Sequence, residues 1–387
     1  MASLNPGGVT KTPDDEDIFS RTKEENHAIF SKYAITHQDL GQGAYACVYK
    51  GHMKSNPQII VAVKSIKILK KPGFTEKLRR EMTILMKFDH QNIVKLYDVA
   101  LLDEKVFLFL EFCNGGDLSN KLVNSGGILS EEEVLPMFKQ ICEAMKQLYN
   151  SNIIHRDLKP ANILMQDNII KLTDFGFARE VFTGMNEANE FTRLGTPIYM
   201  SPQILNSIPF SSKTDIWSLG ILIYEMLFGK TPWAGNTPQD LLKNILKSPL
   251  KFMENHSMNN YHSPLIKKPP PVSAEMKDLL KRMLEITEEK RITWEELFDH
   301  DVFKVKIPVP MDIINEEKKE NEPMSNSLSN LEKNEKVIEV KKNGSIENLP
   351  LKEIKYAPPE KKNKPKVMLS KSQEPQKKKG FLSMFCC

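Results

Sequence analysis

The chain has 387 residues, of which 40% are hydrophobic, and its 54 lysine and arginine residues nearly balance 50 aspartate and glutamate residues, for a formal net charge of +4. This length and apolar content suffice for two lobes and a tail. Three scattered cysteines and two at the very end argue against a disulfide framework, and no signal-peptide pattern is present at the N-terminus. We therefore expect a cytoplasmic protein rather than a secreted one.

The first 32 residues are polar and are predicted to form a flexible segment. A glycine-rich loop follows at Leu40-Gly41-Gln42-Gly43-Ala44-Tyr45-Ala46-Cys47-Val48. Because glycine has no side chain, backbone N–H groups in such a loop can approach an anion, so we expect the loop to lie over phosphates. Ala46 stands where these loops carry a third glycine, and its methyl group still lets the hairpin close.

An apolar strand that ends in a cation, Val61-Ala62-Val63-Lys64, comes next. A helix is predicted from Phe74 to Phe88, since apolar residues recur at helical spacing at Leu78, Met82 and Leu85. Glu81 lies at the edge of that apolar face and is a candidate carboxylate partner of Lys64. Glu76 is a competing partner, and the simplest alternative for Glu81 is a surface pair with Arg79 or Arg80.

The apolar run Val106 to Leu110 predicts a buried strand, and the loosely structured run Glu111-Phe112-Cys113-Asn114-Gly115-Gly116-Asp117 predicts a link between two lobes. Ser130 and Glu133 have the form of a capping box that opens a core helix. Asp215 opens another strongly apolar helix, which runs to about Phe228 and is too short to span a bilayer.

The most informative motif is His155-Arg156-Asp157-Leu158-Lys159-Pro160-Ala161-Asn162, which is followed twelve residues after Asn162 by Asp174-Phe175-Gly176. The Asp157 carboxylate can accept the proton of a hydroxyl group, and oxygen atoms of Asn162 and Asp174 suit a hard cation such as Mg²⁺. Either motif alone occurs often by chance, and Asp-Phe-Gly alone can be a simple turn after a strand. Both together, in this order, argue strongly against that explanation.

Together the motifs resemble those of eukaryotic serine/threonine protein kinases over about Tyr33 to Phe303. The resemblance implies an α+β, two-lobed protein kinase fold, in which the small lobe is an antiparallel sheet plus one helix and the large lobe is mainly helical. We therefore expect a flexible segment over residues 1–32, a kinase domain over residues 33–303 and a disordered tail over residues 304–387.

The resemblance also assigns roles and implies ATP and Mg²⁺ as cofactors. Asp157 becomes the catalytic base, Lys159 steadies the γ-phosphate, and Lys64, held by Glu81, contacts the α- and β-phosphates. Asn162 and Asp174 become the metal ligands. In kinases the aspartate that matches Asp215 anchors the catalytic loop from below.

Nucleotide contacts are implied in the same way. Backbone groups of Glu111 and Cys113 contact the adenine edge, Leu110 guards the back pocket, and Asp117 reaches the ribose. The remaining residues implied to line the nucleotide site are Leu40, Gly41, Gln42, Gly43, Val48, Ala62 and Leu164.

Lys159 and Thr196 look like the pair found in serine/threonine kinases, so protein substrates with Ser or Thr acceptors are expected. Within the kinases, the runs from Glu111 to Leu118, from Asp174 to Arg179 and from Thr237 to Leu241 make the domain similar to the ULK family of autophagy-initiating kinases. ULK kinases carry a long C-terminal extension with a helical partner-binding domain. This chain ends about 80 residues after the domain, so a role in autophagy stays open.

One motif departs from the kinase pattern. Met200-Ser201-Pro202-Gln203 stands where kinases end the activation segment with Ala-Pro-Glu. Gln203 cannot form the charge-assisted pair with Arg291 that a glutamate would form, and a neutral hydrogen bond is the expected substitute. If the pair is weaker by roughly 1 to 3 kcal/mol, the activation segment is looser, but no catalytic group is lost.

Regulation is predicted from charge. Kinases with an arginine at the position of Arg156 commonly hold a phosphate of the activation segment against it, because bidentate Arg–phosphate pairing orders a mobile loop. Thr192 is the predicted phosphosite, Arg179 could complete the pocket, and Thr196 belongs to the same segment. The alternative is a solvated turn at Thr192 with no switching role.

The tail from Ile307 has the composition of a disordered segment. Between Lys361 and Lys379 it carries eight lysines against one glutamate, and it ends in an apolar run with Cys386 and Cys387. Polybasic charge and a lipidated cysteine together predict attachment to an anionic, cytoplasmic membrane face. The alternatives are a solvated tail with two free thiols and nonspecific attraction of nucleic acid by the lysines; no specific nucleic-acid partner is expected.

The sequence therefore predicts an ATP- and Mg²⁺-dependent serine/threonine protein kinase, switched by phosphorylation of its activation segment. The alternative is a pseudokinase or membrane-tethered scaffold, which the replacements at Ala46 and Gln203 keep open. The intact set of Lys64, Glu81, Asp157, Asn162 and Asp174 argues against that alternative.

Overall fold

The structure is a computed structural model, and it describes residues 18–42, 46–181, 184–187, 195–252 and 270–304. Some predicted site residues lie outside these ranges: the loop glycine Gly43, the phosphosite Thr192, and the lipidation candidates Cys386 and Cys387. Among the described residues, no helix is both long and apolar enough to cross a membrane.

Nine strands fall within the described ranges: β1 Tyr33–Gln42, β2 Ala46–Met53, β3 Asn56–Lys67, β4 Leu96–Leu102, β5 Lys105–Glu111, β6 Ile153–Ile154, β7 Ile163–Gln166, β8 Ile169–Leu172 and β9 Arg179–Glu180. The helices there are α1 Lys23–Ser31, α2 Phe74–Met86, α3 Leu118–Asn124, α4 Glu131–Asn150, α5 Pro202–Leu205, α6 Lys213–Phe228, α7 Pro238–Lys247, α8 Ala274–Met283 and α9 Trp294–Phe298.

The small lobe is an antiparallel sheet with the order β1-β2-β3-β5-β4. It packs against α2, whose predicted apolar face at Leu78, Met82 and Leu85 is buried. The helix ends at Met86, two residues before the predicted end. The large lobe is mainly helical, with short hairpins, so the structure confirms the predicted two-lobed α+β fold.

Residues 18–31 do not fit the prediction of a flexible segment over residues 1–32, because they form a 3₁₀ turn at Ile18–Ser20 and the helix α1. Thr22 and Glu25 form a capping box at the start of α1. The Phe30 ring makes T-shaped contacts with Phe107 and Phe109 on the sheet, at centroid distances of 5.2 and 6.0 Å. The small lobe therefore carries α1 in addition to the one predicted helix, α2.

Two long helices organise the large lobe. The predicted capping box opens α4, where the Ser130 hydroxyl accepts the Glu133 N–H and the Glu133 carboxylate accepts the Ser130 N–H. The helix α6 is buried on nearly every side, as its apolar sequence predicts. These helices form one hydrophobic core with α8 and with residues of α2 and β5, which places the loop after β6 on a rigid base.

Candidate active site

The loop that carries Asp157 is anchored from below by Asp215, in the first turn of α6. The Asp215 carboxylate accepts the His155 N–H at 2.7 Å and the Arg156 N–H at 2.8 Å. Burial raises the pKa of Asp215, although His155, Arg156 and the two N–H donors act in the opposite direction. Arg156 has a φ of 67°, a strained conformation for a residue with a side chain, and the two hydrogen bonds stabilise it.

The Asp157 carboxylate is held at both of its oxygens. Oδ2 accepts hydrogen bonds from Lys159 Nζ at 2.7 Å and from Asn162 Nδ2 at 3.0 Å. Oδ1 accepts from the N–H and the hydroxyl of Thr196, both at 3.1 Å. Lys159 Nζ also donates to Thr196 Oγ1 at 3.1 Å, so the structure brings together the predicted base, the predicted phosphate contact and the predicted Ser/Thr-specific threonine.

Gly195 lets the activation segment approach this closely. Its φ is 113°, and an added Cβ would lie 2.8 Å from the Arg156 carbonyl oxygen. A side chain there would separate Thr196 from Asp157, so a glycine is required before the threonine.

The predicted pair of Lys64 and Glu81 is present, with Nζ 2.9 Å from Oε1. The competing residue Glu76 instead contacts Arg79 and Arg80 on the surface of α2. Burial by itself lowers the pKa of Lys64, but the carboxylates of Glu81 and Asp174 outweigh burial and hold that pKa above its usual value. Lys64 is therefore a stable cation facing two carboxylates.

Asp174 lies close to this pair. An added Cβ on Gly176 would be 3.2 Å from Asp174 Oδ1 and 3.4 Å from Glu81 Oε2, so the glycine leaves space between the two carboxylates. Burial tends to raise the pKa of Asp174, but Lys64, His155, the Gly176 N–H and Lys159 together hold it below its usual value. The Asp174 carboxylate is therefore ionised near neutral pH.

These residues fit a Mg²⁺ ion by the chemistry of their donors. Asn162 Nδ2 donates both to the Asp157 carbonyl oxygen at 2.8 Å and to the Asp157 carboxylate. The amide nitrogen is thus fully engaged, and the amide oxygen is the end of Asn162 that can bind a cation. With the ionised Asp174 this makes two oxygen donors of the kind that Mg²⁺ prefers. The described residues contain no cluster of three or more His, Cys, Asp or Glu side chains that could hold a metal by themselves.

The predicted adenine-binding stretch follows β5. The Glu111 N–H donates to the Lys95 carbonyl at 2.8 Å and is therefore already engaged. An adenine contact at Glu111 would be made by its carbonyl oxygen. Leu110 is buried, and the half-buried Cys113 has a thiol pKa of about 12, chiefly because of its burial. Cys113 is therefore an uncharged packing residue at neutral pH. The Gly115 N–H donates to the Met165 carbonyl at 2.8 Å and ties this stretch to β7.

Asp117 has a local role that the sequence analysis missed. Its Oδ1 accepts the Asn120 N–H at 2.9 Å and caps α3, and its Oδ2 accepts from Asn120 Nδ2 at 3.0 Å. Its backbone pairs with Leu164. Of the other residues implied to line the nucleotide site, Val48, Ala62 and Leu164 are half-buried, whereas Leu40, Gly41 and Gln42 are exposed.

Three arginines lie close together beside the catalytic loop. The pKa of Arg156 is lowered to about 10, mainly by burial and then by the charge of Arg179, and Arg80 on α2 lowers it further. Burial and then Arg80 lower the pKa of Arg179 as well. Arg80 was not among the residues predicted for this pocket. The sequence feature that could have identified Arg80 is its position directly before Glu81 on the same helix.

The comparisons with known proteins agree with this geometry. A family model described as "Protein kinase domain" matches residues 34–303. Serine/threonine-protein kinase ULK1 of Homo sapiens is 35% identical over 280 residues, which cover 70% of this chain and 25% of that protein. Serine/threonine-protein kinase atg1 of Dictyostelium discoideum is 36% identical over 278 residues, which cover 69% of this chain and 38% of that protein.

A second group of relatives matches to the same degree. Calcium-dependent protein kinase 5 of Plasmodium falciparum is 36% identical over 285 residues, which cover 72% of this chain and 46% of that protein. The chain therefore spans between a quarter and a half of the length of these curated relatives.

Proposed function

Because the chain belongs to the protein kinase family, we propose that it is a serine/threonine protein kinase that transfers the γ-phosphate of ATP, with Mg²⁺, to hydroxyl groups of proteins. The observation that carries this proposal is the arrangement around Asp157. Its carboxylate accepts hydrogen bonds from both Lys159 and Thr196, and these two side chains also contact each other. The Lys64–Glu81 pair beside Asp174 adds a cation at the place where phosphates need one.

Each residue has a defined task in the proposed reaction. Asp157 orients the acceptor hydroxyl and takes its proton as the oxygen attacks the γ-phosphorus and the bond to the β-phosphate oxygen breaks. Lys159, which already contacts Asp157, stabilises charge on the moving phosphoryl group. Lys64 holds the phosphates that remain on the nucleotide. Mg²⁺ held by Asn162 and Asp174 would neutralise phosphate charge when bound.

The test is phosphate transfer from labelled ATP to a generic protein substrate and to the chain itself. Asp157→Asn should lower the rate by about a hundredfold to ten-thousandfold, because a general base contributes that much, and Asp174→Ala should abolish transfer. Asp278→Asn, which changes an exposed carboxylate on α8, is the matched control and should leave the rate unchanged. Equal activity in the parent chain and Asp157→Asn would refute the proposal.

The pseudokinase alternative gives a different result in the same assay. It predicts no transfer by the parent chain, even after the activation segment has been phosphorylated. Nucleotide binding without transfer would then appear as a rise in melting temperature on addition of ATP. The retention of both Asp157 and Asp174, with their hydrogen bonds, favours the active enzyme.

We also propose a phosphorylation switch at the three arginines Arg80, Arg156 and Arg179. Arg179 and Arg80 both lower the pKa of Arg156, and Arg80 lowers the pKa of Arg179, so an anion between them would relieve this repulsion. A phosphate on the activation segment would supply such an anion. Thr192 is the proposed site. Thr192→Ala should lower the activity of the phosphorylated enzyme and expose the segment to protease. Unchanged activity and unchanged protection would show that no switch operates there.

Attachment of the tail to a cytoplasmic membrane face is supported by the sequence alone. The lysines between Lys361 and Lys379, with Cys386 and Cys387 as sites of lipidation, are the groups that would provide it.

A further inference from the structure

The position of α2 decides whether the Lys64–Glu81 pair forms, because Glu81 is on this helix and Lys64 is on β3. Two contacts, one from α2 and one from the residue that follows it, reach the segment after Asp174. Lys77 Nζ lies 3.9 Å from the centroid of the Phe177 ring, and Lys87 Nζ lies 2.7 Å from Glu180 Oε2. Both Lys87 and Glu180 are more than a third exposed, so that ion pair is weak.

Another position on α2, Arg79, contacts a residue that precedes the kinase motifs. Phe19 lies under the guanidinium group of Arg79, 4.9 Å from the arginine Cζ to the ring centroid. Phe19 is half-buried and packs against the main hydrophobic core. It therefore combines a cation–π contact to α2 with apolar burial.

The residues that follow Phe19 are bonded to β4, one of the two edge strands of the sheet. Arg21 Nη1 donates to the Val99 carbonyl at 2.9 Å, and Asn26 Oδ1 accepts the Leu101 N–H at 2.7 Å. Asn26 is almost fully buried, and its Nδ2 donates to the Thr22 carbonyl at 2.8 Å. These bonds fix residues 18–31 to β4 independently of α2.

We propose that residues 18–31 form an N-terminal clamp that positions α2 for catalysis, with Phe19 as the positioning residue that acts through Glu81. This inference rests on the proposed kinase activity. The clamp joins a rigid sheet to the one helix whose displacement would break the Lys64–Glu81 pair. Activity then scales with the fraction of molecules in which the pair is formed.

A double-mutant cycle on the full chain tests the clamp. Phe19→Ala removes the ring from Arg79 and should lower kcat/KM about three- to tenfold, since it removes both a cation–π contact and apolar burial. In a Glu81→Gln background, where the pair is already weakened, the same change should cost less than about twofold, because Phe19 acts only through Glu81. Amide exchange in α2 should be faster in Phe19→Ala than in the parent chain, which gives a second readout that does not depend on rate.

Two further variants separate positioning from general stability. Phe19→Tyr keeps the ring over Arg79 and should restore activity. Phe298→Ala also removes a half-buried ring with a lysine over it, but in the large lobe, and should lower the melting temperature with an equal rate loss in both Glu81 backgrounds.

The outcomes distinguish this inference from the proposed function. A parent chain that transfers phosphate, while Phe19→Ala has unchanged kcat/KM and unchanged exchange in α2, would overturn the clamp alone. An equal fold loss in both Glu81 backgrounds would overturn it as well. A parent chain as inactive as Asp157→Asn refutes the kinase activity instead, and the exchange measurement then still decides whether Phe19 holds α2.

Discussion

Gln203 places a neutral amide against the buried guanidinium group of Arg291. Arg291 Nη2 donates to Gln203 Oε1 at 3.0 Å, and Gln203 Nε2 donates to the Ile286 carbonyl at 2.8 Å. The sequence predicted the neutral hydrogen bond but not the second one, which a glutamate could not make. Burial lowers the pKa of Arg291 to about 10 although Glu288, Glu285 and Glu289 act against it, as expected for a buried cation that is held here by carbonyl and amide oxygens.

His90 and His300 share one local arrangement. In each, the ring Nδ1 accepts the backbone N–H two residues later, from Asn92 at 3.1 Å and from Val302 at 3.3 Å. Burial is the main cause that lowers the pKa of both imidazoles below 6.5. For His90, Lys171 lowers the pKa further and Glu143 raises it; for His300, Arg282 and Lys304 lower it and Asp301 and Asp278 raise it.

This arrangement predicts a pH dependence of stability. Because both folded pKa values are below the unfolded one, the unfolded chain binds these protons at a higher pH, and stability falls as the pH falls through 6.5 toward the folded pKa values. His90→Asn/His300→Asn keeps an acceptor for each N–H and should flatten this loss between about pH 7.5 and about pH 5. Urea unfolding at each pH measures it; parallel stability curves would contradict the assignment.

The residue contacts show what a pattern can and cannot predict. Lys64, Asp157 and Asp174 were found because each belongs to a short motif with fixed spacing. Asp117 as a helix cap was missed because the same side chain had already been given a ligand role by the resemblance. Lys64 can pair only with a glutamate whose side chain leaves α2 toward the sheet. The structure shows that this is Glu81 and that Glu76 instead contacts Arg79.

At the scale of elements, the contact between α6 and α8 depends on a glycine. An added Cβ on Gly220 would lie 2.9 Å from Leu284 Cδ2 and 3.1 Å from both Leu284 Cγ and Met283 Cβ. The end of the Leu284 side chain can rotate away, but a Cβ atom moves only with its backbone. The two helices therefore approach each other as closely as a glycine allows.

This close approach reverses the usual effect of a glycine-to-alanine change. In an exposed helix Gly→Ala stabilises by about 1 kcal/mol, but here overpacking costs about 1–3 kcal/mol, so Gly220→Ala should destabilise by about 1 kcal/mol. In a Leu284→Ala background, which opens space, the change should become neutral or stabilising. Chemical denaturation of the four variants checks this, and a stabilised Gly220→Ala would show that the interface has spare room.

The sequence located helices correctly where apolar residues recur at helical spacing, and it missed helical residues where they do not. The pattern of α2 and the capping box of α4 located both helices within a few residues. The helix α6 begins at Lys213, three residues before the apolar run, because its first turn is polar and leaves no apolar signal. The helix α1 was missed for its polar composition, although Thr22 and Glu25 carried a capping-box signal.

At the scale of the whole molecule, the proposed attachment of the tail to a membrane depends on charge. Eight lysines against one glutamate between Lys361 and Lys379 should bind the chain to vesicles that contain anionic lipid, at about 1 kcal/mol per lysine near the surface. Glutamine at all eight positions should abolish sedimentation with such vesicles, and neutral vesicles are the control. Equal sedimentation of both chains would show that the lysines do not attach the protein to membranes.

The attachment of α1 to β4 has a consequence for handling the protein. β4 is an outer strand of the sheet, and such a strand presents unpaired backbone groups to which a strand of another molecule can add. Arg21 and Asn26 occupy the Val99 carbonyl and the Leu101 N–H on that side. A chain shortened to begin at residue 34, where the family match starts, would uncover this edge and should aggregate more readily than the full chain, even if its active site were intact.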